Sequence, residues 1–401
     1  MPAKPVSQRE FIAMMAMLFA TIALSIDAML PALPAIAGEL SPDDANRVLM
    51  VVSGFFLGMG LGTFIAGPVS DAFGRKPVIL GCAGIYVTAT VLCYFAPSLD
   101  LLLAARVLQG IGAAAPRVVG MAMIRDQYKG RDMARIVSFV MMIFMLMPAA
   151  APLVGQGILM AGGNWRTIFA ALLIFAALTT SWILLRQPET LAPQSRRGLS
   201  VAALWTSARE MSRHRIVLIS TLCQSLGSAS LLSTVSSQQG IFEQRFDRVA
   251  TFPLWFGFIA LCAAGGSLLN SRVVMQLGMR RVITASYSVQ ILLTALILTA
   301  DATGLMPPAW VFPAHVLWSI SVFAMMGLTQ GNLSAMAMED LGHIAGFAAS
   351  MMTALATVGA ALLAVPVGLA FDGTQIPLMV GVTLFSGLAL ALILTVRGRP
   401  A

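Results

Sequence analysis

The chain is 401 residues long, with 58% apolar and only 10% charged residues, where a soluble domain carries about 25% charged. That balance excludes an ordinary soluble enzyme or binding module and predicts an all-α polytopic membrane protein. The formal charge of +8 does not indicate a nucleic-acid partner. The bases lie between apolar runs, where orientation signals sit, and no basic run carries interleaved aromatics.

A spanning helix needs about 20 mostly apolar residues. Twelve such runs follow in order, at roughly 11–34, 46–70, 77–96, 99–124, 135–161, 165–186, 215–241, 251–274, 282–300, 310–336, 346–370 and 376–396. Residues 187–214 are polar, hold Pro188, Pro193, Arg196 and Arg197, and read as a cytoplasmic linker. It separates an N-terminal six-helix bundle over 1–186 from a C-terminal one over 215–401. Lys4 and Arg9 precede the first run, and Ala35-Ile36-Ala37 mimics a cleavage site. That run is too long for a signal core and holds Asp27, Pro31 and Pro34, so a retained first helix is expected. Cys82, Cys93, Cys223 and Cys262 fall inside apolar runs and predict inert thiols without disulfides.

Topology follows from the bases. With the N-terminus in the cytoplasm, nineteen lysines and arginines fall on the cytoplasmic side, Lys4, Arg197, Arg397 and Arg399 among them, and four fall outside. The four are Arg47, Arg166, Arg245 and Arg248. This bias places both termini in the cytoplasm. Only Arg106 and Arg117 remain, both within the fourth run.

Among the acids, Asp27 alone lies deep in a span. A charged group at the bilayer centre costs about 2.5 to 3.5 kcal/mol on insertion scales, and such groups mark ion and proton pathways. Pro31 lacks the N–H that the Asp27 carbonyl would accept, so a bend is expected beside the acid. In the second half the one deep ionisable residue is His315, near the outer end of the tenth run.

The second and third runs are joined by Gly67-Pro-Val-Ser-Asp71-Ala-Phe-Gly74-Arg75-Lys76-Pro77. Glycine at 74 permits a sharp turn, and the bases suit an anionic leaflet. A plain tight loop would have the same features. In a chain of twelve runs split six and six, however, G-x-x-x-D-x-x-G-R-K closely resembles the signature loop of the major facilitator superfamily. The resemblance implies that Gly67, Asp71, Gly74 and Arg75 belong to a cytoplasmic latch that holds the halves in an outward-open state. Asp126, at the inner end of the fourth span, is the expected partner of Arg75. The matching second-half loop keeps Gly278, Arg280 and Arg281, with Asn270 near the place of an acid, so no second latch is expected.

The fourth run reads Arg106-Val-Leu-Gln109-Gly110-Ile-Gly112-Ala-Ala-Ala-Pro116-Arg117 and resembles the R-x-x-Q-G-x-G motif of the same superfamily. At about 100° per residue, 106, 113 and 117 share a face within about 20°, and the two arginines stand about 16 Å apart along it. A lined cavity is one reading. Structural arginines satisfied by carbonyls, or an Arg117 that snorkels, are others. In the fifth run, Pro148-Ala-Ala-Ala-Pro152-Leu-Val-Gly155-Gln-Gly157 resembles the antiporter motif G-x-x-x-G-P-x-x-G-G, with Ala151 and Gln156 departing from it. A small-residue packing seam is the alternative.

Asp27-x-x-x-Pro31-x-x-Pro34, together with the stretch Glu339 to Ser350, resembles the bicyclomycin- and chloramphenicol-resistance branch of the drug:proton antiporters. This implies two six-helix bundles around a central cavity with alternating access. Asp27 and Arg106 are the proton-coupling candidates. Gln109, Arg117, Met142, Gln224, His315 and Trp318 join them as cavity candidates, and Pro148, Pro152 and Gly155 form a hinge. The chain's three lysines follow no glycine, so there is no GK[ST] phosphate loop and ATP is not the energy source. No cofactor, metal or enzymatic activity is expected. The partners are a small amphiphilic substrate, protons and the lipid bilayer. A monomer in the bacterial inner membrane is expected. An exporter of an endogenous metabolite and a proton-coupled uptake symporter use the same architecture. A membrane-embedded enzyme would need a polar catalytic cluster at one face, and a sensor would need an output domain; neither is evident.

Overall fold

The structure is a computed structural model that describes residues 6–196, 198, 201–339 and 345–396. Lys4, Arg197, Arg397 and Arg399 of the charge census lie outside that range, as do residues 340–344 of the Glu339–Ser350 stretch, His343 included. The described residues form α-helices and short 3₁₀ turns, with no strand among them. The helices are α1 (Gln8–Asp27), α2 (Leu33–Leu40), α3 (Met50–Phe73), α4 (Arg75–Tyr94), α5 (Leu99–Gln127), α6 (Gly130–Met160) and α7 (Trp165–Arg186). They continue as α8 (Val201–Arg213), α9 (Arg215–Gln244), α10 (Phe252–Leu277), α11 (Met279–Ala302), α12 (Pro308–Met338), α13 (Ala345–Leu369) and α14 (Ile376–Leu394). Among the described residues, twelve segments are long and apolar enough to cross a membrane. The chain divides into two compact units, Met1–Val201 and Ala202–Ala401, and each holds six of these segments.

Side chains mark the helix starts. Ser7 Oγ accepts the Glu10 N–H at 3.2 Å, and Ser98 Oγ accepts that of Leu101 at 3.4 Å. Asn164 and Thr167 cap α7 reciprocally. Each satisfies a donor that the first helical turn leaves without a carbonyl.

Two segments differ from the sequence expectation. The first span does not end near residue 34. It breaks after Asp27, passes through a 3₁₀ turn at Leu30–Ala32, and resumes as α2 to Leu40. Pro31 and Pro34 each occupy the first turn of a new segment, where a missing N–H costs nothing. The linker, expected to be a polar connection, contains the 13-residue helix α8.

In the first unit, α5 packs between α3 and α4. Gly58 and Gly62 of α3 lie against the backbone of Val107 and Ile111, and Gly110 lies against Phe55. Any side chain there would collide with a carbonyl, so the helices touch backbone to backbone. In the second unit, α9 packs against α12, α13 and α14 and buries a strongly polar face there. Leu178, Leu185, Leu268, Leu292, Leu296 and Leu388 stand exposed on outer faces, as lipid-facing side chains do.

Candidate functional site

Asp27 is the last residue of α1, at the start of the break. It is 6% exposed. Among the described residues its carboxylate has no hydrogen-bond or ion-pair partner. On the other side of the break, Gly155 of α6 lies against the backbone of Ala28 so closely that no side chain would fit between them. The antiporter-like segment is therefore in direct contact with the residue after Asp27. Pro148 and Pro152 lie inside α6, which remains helical through both.

Arg106 is fully buried and tied into three helices. Its Nε donates to the Val51 carbonyl at 3.1 Å, Nη1 to Gln109 Oε1 at 2.6 Å, and Nη2 to the Ser25 carbonyl at 3.0 Å. The guanidinium also lies 4.6 Å from the Phe55 ring centroid. None of these bonds goes to Asp27. Gln109 Nε2 donates in turn to Thr90 Oγ1 at 2.8 Å, so both ends of this amide are engaged. Tyr86 and Ser25 share a 2.6 Å hydroxyl contact beside them. This network satisfies Arg106 by carbonyls and one amide, which is the structural alternative left open by the sequence.

Arg117 shares the α5 face with Arg106 yet behaves differently. It is exposed, and among the described residues it has no hydrogen-bond or ion-pair partner. Met142 of α6 is likewise exposed, at 50%.

The candidates around the α3–α4 turn come together. Gly74 has a φ of +108°, which strains any residue with a side chain. Arg75 Nη1 bonds Asp71 Oδ1 and also donates to Ser70 Oγ at 2.8 Å, while Nε reaches Asp126 Oδ2 at 3.0 Å. Gly67 supplies the carbonyl that accepts from Ser70 Oγ at 2.8 Å. The sequence reading missed Glu189. This linker residue accepts the backbone N–H groups of Arg75 and Lys76 at 2.9 and 3.1 Å, those of α4's first turn. It also accepts those of Thr190 and Leu191. Burial pushes its carboxyl up, but the four N–H donors outweigh it and hold Glu189 below the usual carboxylate range. Local sequence carries no sign of this clamp, because an open helix start does not name its acceptor. Thr190 Oγ1 adds a 3.2 Å bond to Asp126.

The Major Facilitator Superfamily model matches residues 13–364 of the chain. The chain belongs to this superfamily. It is 28% identical over 365 residues to the uncharacterised MFS-type transporter YdgK of Bacillus subtilis, covering 88% of this chain and 87% of that one. The multidrug resistance protein MdtL of Escherichia coli is 34% identical over 170 residues, or 42% of this chain and 43% of MdtL. A crystal structure of a D-xylose-proton symporter superposes with a TM-score of 0.74 at 14% identity, over 96% of this chain and 97% of that one. That likeness concerns the fold alone. The protein is a multi-pass membrane transporter of the major facilitator type.

The matching loop of the second unit keeps Arg280 and Arg281, but among the described residues neither forms an ion pair. Gly278 has a φ of +78° and makes the same turn as Gly74, but nothing crowds it. Arg280 donates to the Leu394 carbonyl at 3.3 Å, and Asn270 accepts from Asn332 at 2.8 Å. Gln224 is buried and donates to Ser334 Oγ at 2.8 Å. Trp318 is buried and donates to Thr294 Oγ1 at 2.9 Å. His315 is fully buried among aromatic rings.

Proposed function

We propose that this transporter exports small amphiphilic compounds in exchange for protons, as a member of the bicyclomycin- and chloramphenicol-resistance branch. The observation that carries the reading is Asp27, a buried carboxylate at span depth with no partner. Such a group is kept in a membrane only where it has work to do. With no cation beside it, its proton affinity is governed by the water that reaches it. Alternating access changes that water from one side to the other. Asp27 then binds a proton when open to the outside and releases it when open to the cytoplasm, while substrate moves outward. Each proton driven inward by 100 mV supplies about 2.3 kcal/mol from the potential.

The other residues divide into roles. Arg106 and Gln109 position Asp27 indirectly, by fixing the Ser25 carbonyl two residues before it. Gly155, packed on Ala28, passes movement of α6 to the acid. Arg117, without a hydrogen-bond or ion-pair partner among the described residues, favours neutral, zwitterionic or anionic substrates over dications. Asp71, Arg75 and Asp126, with Glu189 behind them, latch the cytoplasmic end of the first unit. The Lys and Arg bias supports cytoplasmic termini, in a chain assigned to the bacterial inner membrane. Similarity to MdtL supports drug efflux over export of one metabolite.

The test is chloramphenicol transport in everted vesicles. With the wild type, an acid interior drives uptake. Asp27→Asn should abolish this gradient-driven uptake and retain chloramphenicol exchange without a gradient. Undiminished gradient-driven uptake by Asp27→Asn would sink the reading.

A further inference from the structure

His315 lies on α12 in the second unit, and its neighbours fix where its hydrogens are. The Ser319 hydroxyl donates to the His315 carbonyl at 2.8 Å. Its oxygen is then free to accept, and it does so from Gln238 Nε2 at 2.7 Å. This orients the amide, so Gln238 Oε1 faces His315 Nε2 at 3.1 Å. Nε2 must therefore carry a hydrogen. In the neutral imidazole Nδ1 is then a bare acceptor, and it is buried without a hydrogen-bond partner.

The Gln375 amide faces the imidazole from the start of α14. Its Nε2 donates to Asp301 Oδ2 at 3.4 Å, which turns Oε1 away from the carboxylate. Gln375 Oε1 is also buried without a partner. Two acceptors meet with no hydrogen between them, an arrangement that native interiors avoid. One added proton on Nδ1 gives Gln375 Oε1 a donor and satisfies both. The surroundings suit a cation. Trp318 stacks on the ring at 5.9 Å and 26°, and Phe246 and Phe242 lie at 5.3 and 6.2 Å.

We propose that His315 Nδ1, facing Gln375 Oε1, is a second proton-binding site of the transporter, reached from the end of the unit where Asp301 meets Arg245. The lone pair on Nδ1 takes a proton from water, and the imidazolium gains one positive charge opposite Asp301. The charged groups around it are few. From α11 there is Asp301, and from α9 Arg245, whose guanidinium lies 3.6 Å from Asp301. Arg248 lies over the Phe312 ring at 4.5 Å. Glu243 points about 140° round α9 from Gln238, and Asp372 is exposed and bonds Thr374. Protons bound here would add to those carried by Asp27; that use rests on the exchange proposed above, whereas the binding itself is measured separately.

The full-length protein in detergent is titrated from about pH 8 to about pH 4, across the histidine range, while tryptophan emission is recorded. Protonation of an imidazole stacked on Trp318 quenches that indole. A quenching step is expected that His315→Gln and Trp318→Phe both remove and Asp27→Asn leaves in place. Gln375→Leu, which leaves the ring intact, should weaken proton binding about tenfold. A step that persists in His315→Gln, or a Gln375→Leu variant that titrates like the wild type, overturns the proposal. Failure of gradient-driven transport in Asp27→Asn does not bear on this step, so the two readings stand or fall apart.

Discussion

The two arginines of α5 show how one residue type takes different roles on one helical face. Arg106 satisfies three acceptors from three helices, and its removal strands the Ser25 carbonyl and the oxygen of Gln109 and takes one donor from the Val51 carbonyl. Each buried unsatisfied group costs about 1 to 3 kcal/mol, so Arg106→Ala should lower stability by about 3 kcal/mol or more. Arg117 makes no such bonds, and Arg117→Ala should stay within about 0.5 kcal/mol of the wild type. Thermal unfolding of the two purified variants side by side checks both expectations. Substrate preference should respond in the opposite order: in competition assays, anionic amphiphiles lose ground in Arg117→Ala and dications do not.

At the scale of elements, the α3–α4 turn depends on a segment far along the chain. Gly74 has φ +108°, and a Cβ there would press on the Glu189 carboxylate. Gly74→Ala therefore carries both backbone strain and loss of the clamp, about 1 to 3 kcal/mol in all. Glu189→Gln keeps an acceptor but loses the charge beside the α4 N-terminus, and should cost about 1 kcal/mol. The pH dependence has a definite sign. Glu189 is held below its ordinary range in the folded state, so its contribution is present above about pH 4.3 and is lost as pH falls through the folded value. Protease cutting of the linker should therefore rise on acidification in the wild type, and be high at every pH in Glu189→Ala. Cutting that does not change with pH would exclude the clamp. Gly155→Val should abolish transport by forcing α6 off the Ala28 backbone, with helix content unchanged by circular dichroism.

For the whole molecule, hydropathy carries most of the information. Twelve apolar runs became twelve membrane-length segments, because in lipid a helix alone satisfies its own backbone. Helix ends moved where chemistry other than hydropathy acts, as at Asp27, where prolines reopened a helix instead of ending it. Asp27 was legible from its isolation among the acids. The ties of Arg106 were not, since carbonyl acceptors such as Val51 and Ser25 have no sequence signature. Glu189 and Gln375 were missed for a related reason: each meets its partner only through the fold. Orientation is a property of the whole chain and can be measured directly. A membrane-impermeant maleimide should label Thr303→Cys in intact cells and should not label Ser195→Cys, and the reverse pattern would invert the topology.

Glu189 also orders events in time. It lies 114 residues after Arg75. At ordinary rates of synthesis, roughly 5 to 20 residues per second, the start of α4 waits about 6 to 23 s for its acceptor. When that interval begins only the first two spans are made, and the α3–α4 turn is held by Ser70 and Asp71 and, later, by Asp126. Closure of the turn thus reports that the sixth span has been made, so the first unit becomes rigid at the end that carries this turn only when its last helix exists.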